Sequence, residues 1–352
     1  MGTLLITGAS GTIGRGLADR WRFDRDILAL HHRNHPPAYC GRVQGDVTQP
    51  KLGLGREDHA ALSSRVTEIL HCAALTEFTA SREQAERVNV LGTLNVLAFG
   101  RDCRKLERIG VLSTAYVAGR RRGLILEREL EHRAGFVNVY EQSKYRMEQK
   151  LRQAMKGLPI AVYRLSTVAA SARNGRVERY HALDRALRLF YNGLVPMLPG
   201  WETSAIDLIS SDYAVDAIAH LFSRRFQAGK TYHIVAPETD LIPLPEFLNL
   251  TADLFARFDR RWKSRVVAQP PIVPLETFRL LERSVERAGN PILRQVVRTT
   301  GAFVPQLCYD KRFDSSNMRR GIRGAGIEPR PLRDFYPAFI RHCLRTRWGA
   351  EG

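Results

Sequence analysis

The chain has 352 residues, of which 44% are hydrophobic and 26% are charged, and its formal net charge is +18. This composition is typical of a globular protein, and no apolar run approaches the roughly 20 residues that span a bilayer. The positive charge would attract polyanions. Because the arginines are scattered and no basic motif is interleaved with aromatic residues, we expect no nucleic-acid partner.

The cysteines and histidines favour a protein with reduced thiols and no metal site. The cysteines lie far apart without a C-x-x-C pair, at Cys40, Cys72, Cys103, Cys308 and Cys343. This usage favours free thiols in a cytoplasmic protein. The ten histidines have no ligand spacing such as H-E-x-x-H, so we predict no metal. The first apolar run begins next to Met1 and leaves no room for a signal peptide, which also favours a cytoplasmic location.

Short apolar runs alternate with longer helical patterns through the first half of the chain. The predicted strands are Thr3–Thr7, Asp26–Leu30, Gly41–Gln44, Glu68–Cys72, Ile109–Ser113 and Ile160–Tyr163. Segments such as Glu83–Arg101 and Tyr140–Lys156 are long enough for crossover helices. This alternation predicts an α/β fold with a doubly wound, Rossmann-type parallel sheet. Ligands of such sheets bind at the carboxyl ends of the strands.

The pattern loosens after Ser166, which predicts a second, smaller lobe. A further strand is expected at Tyr232–Val235, followed by a helical tail punctuated by proline. We therefore predict a nucleotide-binding Rossmann domain over residues 1–170, to which residues 205–236 return. Residues 171–204 and 237–352 would form a discontinuous, mostly helical substrate-binding lobe.

A glycine-rich stretch, Thr7-Gly8-Ala9-Ser10-Gly11-Thr12-Ile13-Gly14, follows the first predicted strand. Its spacing G-x-x-G-x-x-G is one residue wider at the front than the dinucleotide fingerprint G-x-G-x-x-G. A strand, a glycine turn and a helix present backbone N–H groups to a phosphate. An ordinary strand-to-helix turn is the alternative. We expect a dinucleotide cofactor to bind at Gly8, Ser10, Gly11, Thr12, Ile13 and Gly14.

The segment after the second strand indicates which dinucleotide is bound. An acidic residue there would bond a free ribose 2′-hydroxyl, but the sequence continues as His31-His32-Arg33-Asn34-His35. Arg33, with His32, supplies donors suited to a 2′-phosphate, which favours NADP(H). A solvated arginine is the alternative. After the third strand, Asp46 could accept a hydrogen bond from the adenine amino group, with Val47 beside it.

The most specific pattern is Tyr140-Glu141-Gln142-Ser143-Lys144. A spacing of four residues puts Tyr140 and Lys144 on one face of a helix. The Lys144 ammonium would stabilise the phenolate and lower the Tyr140 pKa from about 10 toward the working range. This pair follows a strand that ends in Ser113-Thr114, whose hydroxyls could hold a carbonyl oxygen. Alone, Y-x-x-x-K is more often structural than catalytic.

In this order the motifs resemble the extended short-chain dehydrogenases/reductases over at least residues 1–236. The shared positions are Gly8, Gly11, Gly14, Asp46-Val47, His71-Cys72-Ala73-Ala74, Asn89, Ser113-Thr114, Tyr140 and Lys144. The segments Val88–Thr93, Leu112–Gly119 and Gly135–Lys144 look like the thioester-reductase branch, which includes male-sterility type fatty acyl reductases. Leu165 and Ser210 depart from that branch, which usually has proline at both positions.

The resemblance implies roles for individual residues. Tyr140 would be the general acid, and Lys144 would tune it and hold the nicotinamide ribose. Thr114 would bond the substrate oxygen, with Ser113 the weaker candidate. Asn89 would support a proton relay behind Lys144, and Ala73 would contact the cofactor. The implied reaction is hydride transfer from NADPH to an acyl thioester, bound to coenzyme A or to an acidic carrier protein, giving an aldehyde or alcohol. A homodimer is a further expectation.

Other functions stay open at this point. The same fold could serve a ketone, steroid or lipid-alcohol dehydrogenase, or a sugar-nucleotide epimerase. Dehydration is disfavoured because Ala115 and Tyr116, not an acidic pair, follow Thr114. A non-catalytic NADP-binding regulator is the third possibility, although such proteins typically lose the tyrosine or lysine that this chain retains.

Overall fold

The structure is a computed structural model that describes residues 2–264 and 267–349. Residue 1 of the predicted Rossmann domain and residues 265–266 and 350–352 of the predicted lobe lie outside the described residues. Within the described ranges, no helix is both long and apolar enough to cross a membrane.

A parallel sheet forms the centre of the molecule. Within the described ranges its seven strands are β1 (Thr3–Thr7), β2 (Asp26–His31), β3 (Gly41–Gln44), β4 (Val66–His71), β5 (Arg108–Thr114), β6 (Ile160–Leu165) and β7 (Thr231–Ile234). Their order is β7-β6-β5-β4-β1-β2-β3, and every neighbouring pair is parallel. The predicted fold class is confirmed, and every predicted strand is present within two residues of its expected bounds.

The helices pack on both faces of this sheet and beyond it. They are α1 (Thr12–Trp21), α2 (Arg56–Arg65), α3 (Arg82–Ala85), α4 (Gly92–Asp102), α5 (Val139–Ala154), α6 (Ala182–Tyr191), α7 (Ser211–Ser223), α8 (Leu244–Phe258), α9 (Arg260–Lys263), α10 (Leu275–Ala288), α11 (Pro291–Gly301), α12 (Ser316–Ile322) and α13 (Leu332–Arg345). Helices α1 and α7 share one hydrophobic core with the sheet, and α2, α4 and α5 share a second core on the opposite face.

The segment Glu83–Arg101, expected to be long enough for a crossover helix, is helical but divided into parts. A π-helical turn, Glu86–Leu91, separates α3 from α4. It contains Asn89, which is fully buried and whose side chain bonds the backbone of Leu75. A π-helical turn occurs mostly as a single turn within an α-helix, and such turns are frequent at functional sites. This break between α3 and α4 coincides with the tertiary hydrogen bonds of Asn89. The periodicity of the sequence alone does not reveal it.

A separate hydrophobic core lies among α6, α8 and α13. Short 3₁₀ helices and strand pairs connect it to the sheet. The 3₁₀ helices are Pro50–Gly53, Ala115–Ala118, Glu238–Asp240, Val304–Cys308 and Arg347–Gly349. The pairs are Gly123–Ile125 with Lys311–Phe313, Thr167–Val168 with Leu208–Ile209, Leu198–Pro199 with Ile272–Val273, and Ala205–Ile206 with Ile242–Pro243. The division into a Rossmann domain and a substrate lobe stays a prediction.

Helix α12 returns to the central sheet late in the chain. Its Met318 and Ile322 lie in the core that α1 and α7 share with the sheet. The buried carboxylate of Glu127 accepts hydrogen bonds from the backbone nitrogens of Asn317, at 2.5 Å, and Met318, at 3.2 Å. It also accepts one from the backbone nitrogen of His233 in β7, at 2.9 Å. Glu127 thereby ties the start of α12 to the edge of the sheet.

Candidate active site

The turn between β1 and α1 combines close packing with an open helix start. Gly8 has a φ of +74°, and a Cβ there would lie 2.6 Å from the backbone nitrogen of Ala73. A Cβ on Gly14 would lie 2.2 Å from the carbonyl oxygen of Gly8, whereas the nearest atom to one on Gly11 is 3.4 Å away. Gly8 and Gly14 thus permit contacts that another residue would block, and Gly11 leaves the helix start accessible.

The other residues predicted for this turn lie at the same helix start. Ser10, Thr12 and Ile13 are all partly exposed there. Gly11 caps α1 without a side-chain hydrogen bond, so the first-turn N–H groups have no side-chain acceptor at the cap. Such a terminus suits an anion. The predicted cofactor residues of the turn, together with Ala73, are therefore adjacent in space.

The residues that follow β2 and β3 lie on the next part of the same sheet edge. His32 and Arg33 are exposed directly after β2, and the His32 Nε2 atom lies 4.0 Å from Asp46 Oδ2. Asp46 Oδ1 accepts a hydrogen bond from the Thr48 nitrogen at 2.8 Å. Burial alone would raise the pKa of Asp46, but its bonds from Thr48 and the nearby positive charges lower it overall. Val47 packs against Gly92.

Tyr140 and Thr114 meet where β5 ends and α5 begins. The Thr114 side chain lies close enough to the phenol to favour its ionised form. Thr114 Oγ1 also donates to the Leu165 carbonyl at 3.3 Å and accepts from the Tyr116 nitrogen at 3.2 Å. The neighbouring Ser113 hydroxyl instead donates to Glu148 at 2.5 Å, behind the sheet edge. The structure therefore brings Thr114, and not Ser113, to the phenol.

Lys144 lies one turn after Tyr140 and is buried. Its Nζ donates to the Leu112 carbonyl at 2.9 Å. Burial lowers the pKa of Lys144 to about 8, while the Glu148 carboxylate opposes that shift. The pKa of Tyr140 is raised by burial and by the Glu141 charge, and the Thr114 side chain only partly opposes this. The expected lowering of the Tyr140 pKa by Lys144 is thus not found in the described contacts, because the ammonium is engaged by a backbone carbonyl.

Asn89 connects the loop after β4 to α5. Its side-chain oxygen accepts from the Leu75 nitrogen at 2.8 Å, and its nitrogen donates to the Leu75 carbonyl at 3.0 Å and to Ser143 Oγ at 2.8 Å. Ser143 directly precedes Lys144. The Asn89 side chain therefore connects the loop at Leu75 to α5.

A buried charged pair lies behind Ser113 and Lys144. Arg164 Nε and Nη2 donate to the two carboxylate oxygens of Glu148, at distances between 2.7 and 3.1 Å. Arg164 Nη1 lies 3.1 Å from His233 Nε2, and His233 Nδ1 lies 2.7 Å from the Asp314 carbonyl. Burial, followed by the Arg164 charge, lowers the pKa of His233 to about 3, so the ring is neutral. Each charge in this interior is therefore matched by a partner.

An apolar cavity of about 130 Å³ opens beside Tyr116 and Thr167. Leucine, phenylalanine and valine side chains from α6 and α8 and from the segments around Leu198 and Val304 make up most of its wall. Polar groups enter the wall mainly from the later part of the chain: Asp207, Gln306, Asp310 and Lys311. Such a cavity can hold a hydrophobic group while polar contacts orient one end of it.

Two phenylalanines cover Tyr140 on the cavity side. The Phe78 ring lies 5.5 Å from the Tyr140 ring, and Phe303 stacks on Phe78 at 5.9 Å. Phe303 also lines the cavity. Sequence reasoning missed Phe78, Phe303, Gln306 and Lys311 because no local motif marks them. The last three come to the site only through the tertiary fold.

Comparison with known proteins identifies the family. A family model described as male sterility protein, from an NAD-binding group, matches residues 37–218, just over half of the chain. This range begins after the glycine turn and contains Asn89, Thr114, Tyr140 and Lys144. The terminal R domain of the myxalamid PKS-NRPS pathway has a similar fold, with a TM-score of 0.81 and 23% identity over 99% of this chain and 92% of that chain.

Two relatives extend the comparison at the sequence level. Fatty acyl-CoA reductase 1 of Arabidopsis thaliana is 24% identical over 61% of this chain and 55% of its own length. The carboxylic acid reductase of Segniliparus rugosus is 25% identical over 70% of this chain and 25% of its own length. The chain thus spans about half or less of these relatives. It belongs to the male sterility protein family, which confirms the resemblance to the thioester-reductase branch of the extended short-chain dehydrogenases/reductases.

Proposed function

We propose that this chain is an NADPH-dependent reductase of an acyl thioester, carried by coenzyme A or by a carrier protein, with an aldehyde or alcohol as product. One observation carries the proposal: the Tyr140 ring contacts Phe78, which stacks on Phe303, and Phe303 lines an apolar cavity. A proton donor next to a hydrophobic pocket is the arrangement that an acyl carbonyl requires.

The glycine turn suits the pyrophosphate of the cofactor. Gly8 and Gly14 have no room for a Cβ, and Gly11 leaves the start of α1 accessible. In this proposal the turn residues Gly8–Gly14 and Ala73 hold the pyrophosphate side, and Asp46 and Val47 border the adenine. The exposed His32 and Arg33 bind the 2′-phosphate, and no acidic residue lies between His31 and His35 to repel it. Lys144 binds the nicotinamide ribose.

The bound nicotinamide supplies a hydride to the acyl carbon. As the carbonyl π bond opens, Thr114 donates a hydrogen bond to the oxygen and Tyr140 transfers its proton to it. The resulting hemithioacetal loses a thiol as its carbon–sulfur bond breaks, and the aldehyde remains. Reduction of that aldehyde to the alcohol would require a second NADPH in place of the oxidised cofactor and a Tyr140 that has regained its proton from solvent. Asn89 holds the catalytic helix through Ser143.

The cavity wall supports an apolar acyl group. Leu187, Phe190 and Phe247 are each less than 8% exposed and line the space. Burying a hydrocarbon chain against them would contribute about 0.8 kcal/mol for each methylene. The Phe78 and Phe303 rings close the side next to Tyr140, which keeps water from the reacting carbonyl.

The charge of the second lobe supports an acidic partner. Helices α10 and α11 carry exposed arginines at positions 279, 283, 287 and 298. Leu280 and Ile292, on the same two helices, are 57% and 66% exposed. The two helices also carry Glu276, Glu282 and Glu286, so their five arginines leave a net charge of +2. Together with the net charge of +18 of the whole chain, this surface suits an acidic carrier protein, whose association it would accelerate. A homodimer stays a prediction.

A substrate panel tests this function. Purified protein with NADPH is offered acyl-CoA thioesters, acyl-carrier thioesters and aldehydes, and NADPH absorbance is followed. Tyr140→Phe should lower kcat by about 100-fold or more, because it removes the proton donor. Tyr145→Phe is the matched control on the same helix, since the Tyr145 hydroxyl bonds Glu131 instead. Failure of every substrate to oxidise NADPH, or full activity of Tyr140→Phe, would refute the proposal.

A further inference from the structure

A buried carboxylate directly follows the proton donor. Glu141 lies in the first turn of α5 and is 2% exposed. Its oxygens accept hydrogen bonds from the Val137 nitrogen at 3.1 Å and from Asn138 Nδ2 at 3.0 Å. A third bond comes from the side-chain nitrogen of Gln306. The reaction described above assigns no task to this carboxylate, although it lies next to the reacting phenol.

Gln306 connects this carboxylate to a buried ammonium. Its amide nitrogen bonds Glu141, and its amide oxygen accepts from Lys311 Nζ at 2.6 Å. Lys311 also donates to the Tyr309 carbonyl at 3.3 Å. The Glu141 carboxylate thus meets the N–H donor of the Gln306 amide, and the Lys311 ammonium meets its carbonyl oxygen. Gln306 and Lys311 also line the apolar cavity.

Two more contacts hold the same late segment against the start of α5. Asn138, which caps α5 by accepting from the Glu141 nitrogen, donates to the Ala302 carbonyl at 3.0 Å. Phe303 stacks on Phe78, which in turn contacts the Tyr140 ring. Residues 302–311 therefore touch the catalytic helix through its cap, its first carboxylate and its aromatic cover.

The electrostatic consequence falls on the Tyr140 proton. An ionised Glu141 opposes formation of the phenolate and so raises the pKa of Tyr140. Burial raises the pKa of Glu141 itself to about 7, while the bonds to its oxygens and the Lys311 charge oppose that shift. Burial lowers the pKa of Lys311, and Glu141 opposes this. The other charged or titratable groups that act on Lys311 are Arg122, Asp310 and Cys308. The Glu141 charge, with that of Asp207, also raises the pKa of the Tyr116 phenol.

We propose that Glu141 is a positioning residue that holds the proton on Tyr140, and that Gln306 and Lys311 in the cavity wall set the charge of Glu141. This inference rests on the proposed reductase function. Polar contacts then connect the wall that receives the acyl group to Glu141, whose charge acts on the neighbouring proton donor. A ligand that contacts Gln306 or Lys311 would change the acidity of Tyr140 without touching it.

The pH dependence of the reductase tests this proposal. As the pH rises through about 7, Glu141 ionises, the phenol becomes a weaker acid, and kcat for NADPH-dependent reduction should fall. Glu141→Gln keeps the shape of the side chain but removes its titration, so this fall should disappear. Lys311→Met removes the opposing charge, which should move the fall to higher pH by about one unit. Lys311→Arg keeps the charge and should retain the parent profile.

The outcomes separate this inference from the proposed function. If the parent protein reduces no substrate, the proposed function fails. If the parent is active and Tyr140→Phe is not, but the profile of Glu141→Gln matches that of the parent, only the Glu141 inference is overturned. Thermal unfolding of each variant checks its folding. Should Glu141→Gln unfold, the Lys311→Met and Lys311→Arg pair decides the question, because identical profiles for those two variants would also overturn the inference.

Discussion

Ser113 and Thr114 are adjacent hydroxyl residues with different surroundings. Ser113 donates to Glu148 in the protein interior, and Thr114 lies beside the Tyr140 phenol. Successive side chains of a strand alternate between its two sides, so one hydroxyl faces the buried ion pair and the other faces the site. The sequence named both hydroxyls as candidates to bind the substrate oxygen, and these roles stay a prediction. The preference for Thr114 came from the family resemblance, and the strand geometry supplies its physical reason.

Thr114 and Ser113 should therefore respond differently to substitution. Thr114→Val should lower kcat by about 100-fold or more, because it removes a donor to the developing oxyanion. Ser113→Ala should instead lower the free energy of unfolding by about 1 kcal/mol, because Glu148 loses one bond but keeps those from Arg164. Steady-state kinetics and denaturant unfolding measure the two effects. Equal losses of kcat in both variants would contradict this division.

Arg33 should determine the choice between NADPH and NADH. A charged hydrogen bond to the 2′-phosphate contributes about 1.5–3 kcal/mol. Arg33→Ala should therefore weaken NADPH binding by about 10- to 100-fold and leave NADH binding nearly unchanged. Fluorescence titration with each cofactor measures both affinities. Arg22→Ala, an exposed arginine at the end of α1, is the control. Equal affinity of the parent protein for the two cofactors would refute the role of Arg33.

At the scale of elements, the sequence predicted helix α5 and the strands well but missed the break inside Glu83–Arg101. The strands are buried apolar runs whose pattern is visible locally. The π-helical turn depends on bonds between Asn89 and residues of two other segments, Leu75 and Ser143. Such contacts are set by the tertiary fold, so a periodicity that fits one long helix cannot reveal them.

Asn89 should matter for the stability of this break. Asn89→Ala leaves the Leu75 backbone groups without their side-chain partner in a fully buried place. We expect the free energy of unfolding to fall by about 1–3 kcal/mol, together with a loss of activity as the Ser143 contact is lost. Asn95→Ala is the matched control, since it removes one bond to the Val47 carbonyl at a partly exposed position. A denaturant titration that gives the same stability for the parent and Asn89→Ala would contradict the expectation.

At the scale of the whole molecule, the first 170 residues contain the local motifs from which site residues could be predicted. The groups from the later part do not form a motif. The bond from Gln306 to Glu141 spans 165 positions of sequence, and Phe303 reaches Phe78 across a longer interval. Their alignment depends on α10 and α11 and on the return of α12 to the sheet. The sequence therefore predicted the cofactor side of the site and left its acyl side undefined.

The volume of the cavity should limit the length of the acyl group. Leu187→Trp adds bulk to the wall, so KM for long-chain thioesters should rise about tenfold or more while short acyl groups are reduced as before. Leu189→Trp is the control, because Leu189 lies on the same helix but is not part of the cavity wall. Kinetics over a series of chain lengths measures the effect. A uniform change across all lengths would point to a general loss of structure instead.

The hydrogen bonds between Glu127 and α12 limit how segments of this chain can be exchanged with those of a relative. Residues 302–322 are attached at one end to Phe78 and Glu141 and at the other to Glu127. Phe78, Glu141 and Glu127, which are distant from this segment in sequence, therefore hold residues 302–322 in place. A chimera that takes this segment from a relative should fold and reduce a new substrate only when those three side chains are transferred with it. Evolution of substrate choice in this chain is then expected to proceed by linked changes rather than by free exchange of its late segment.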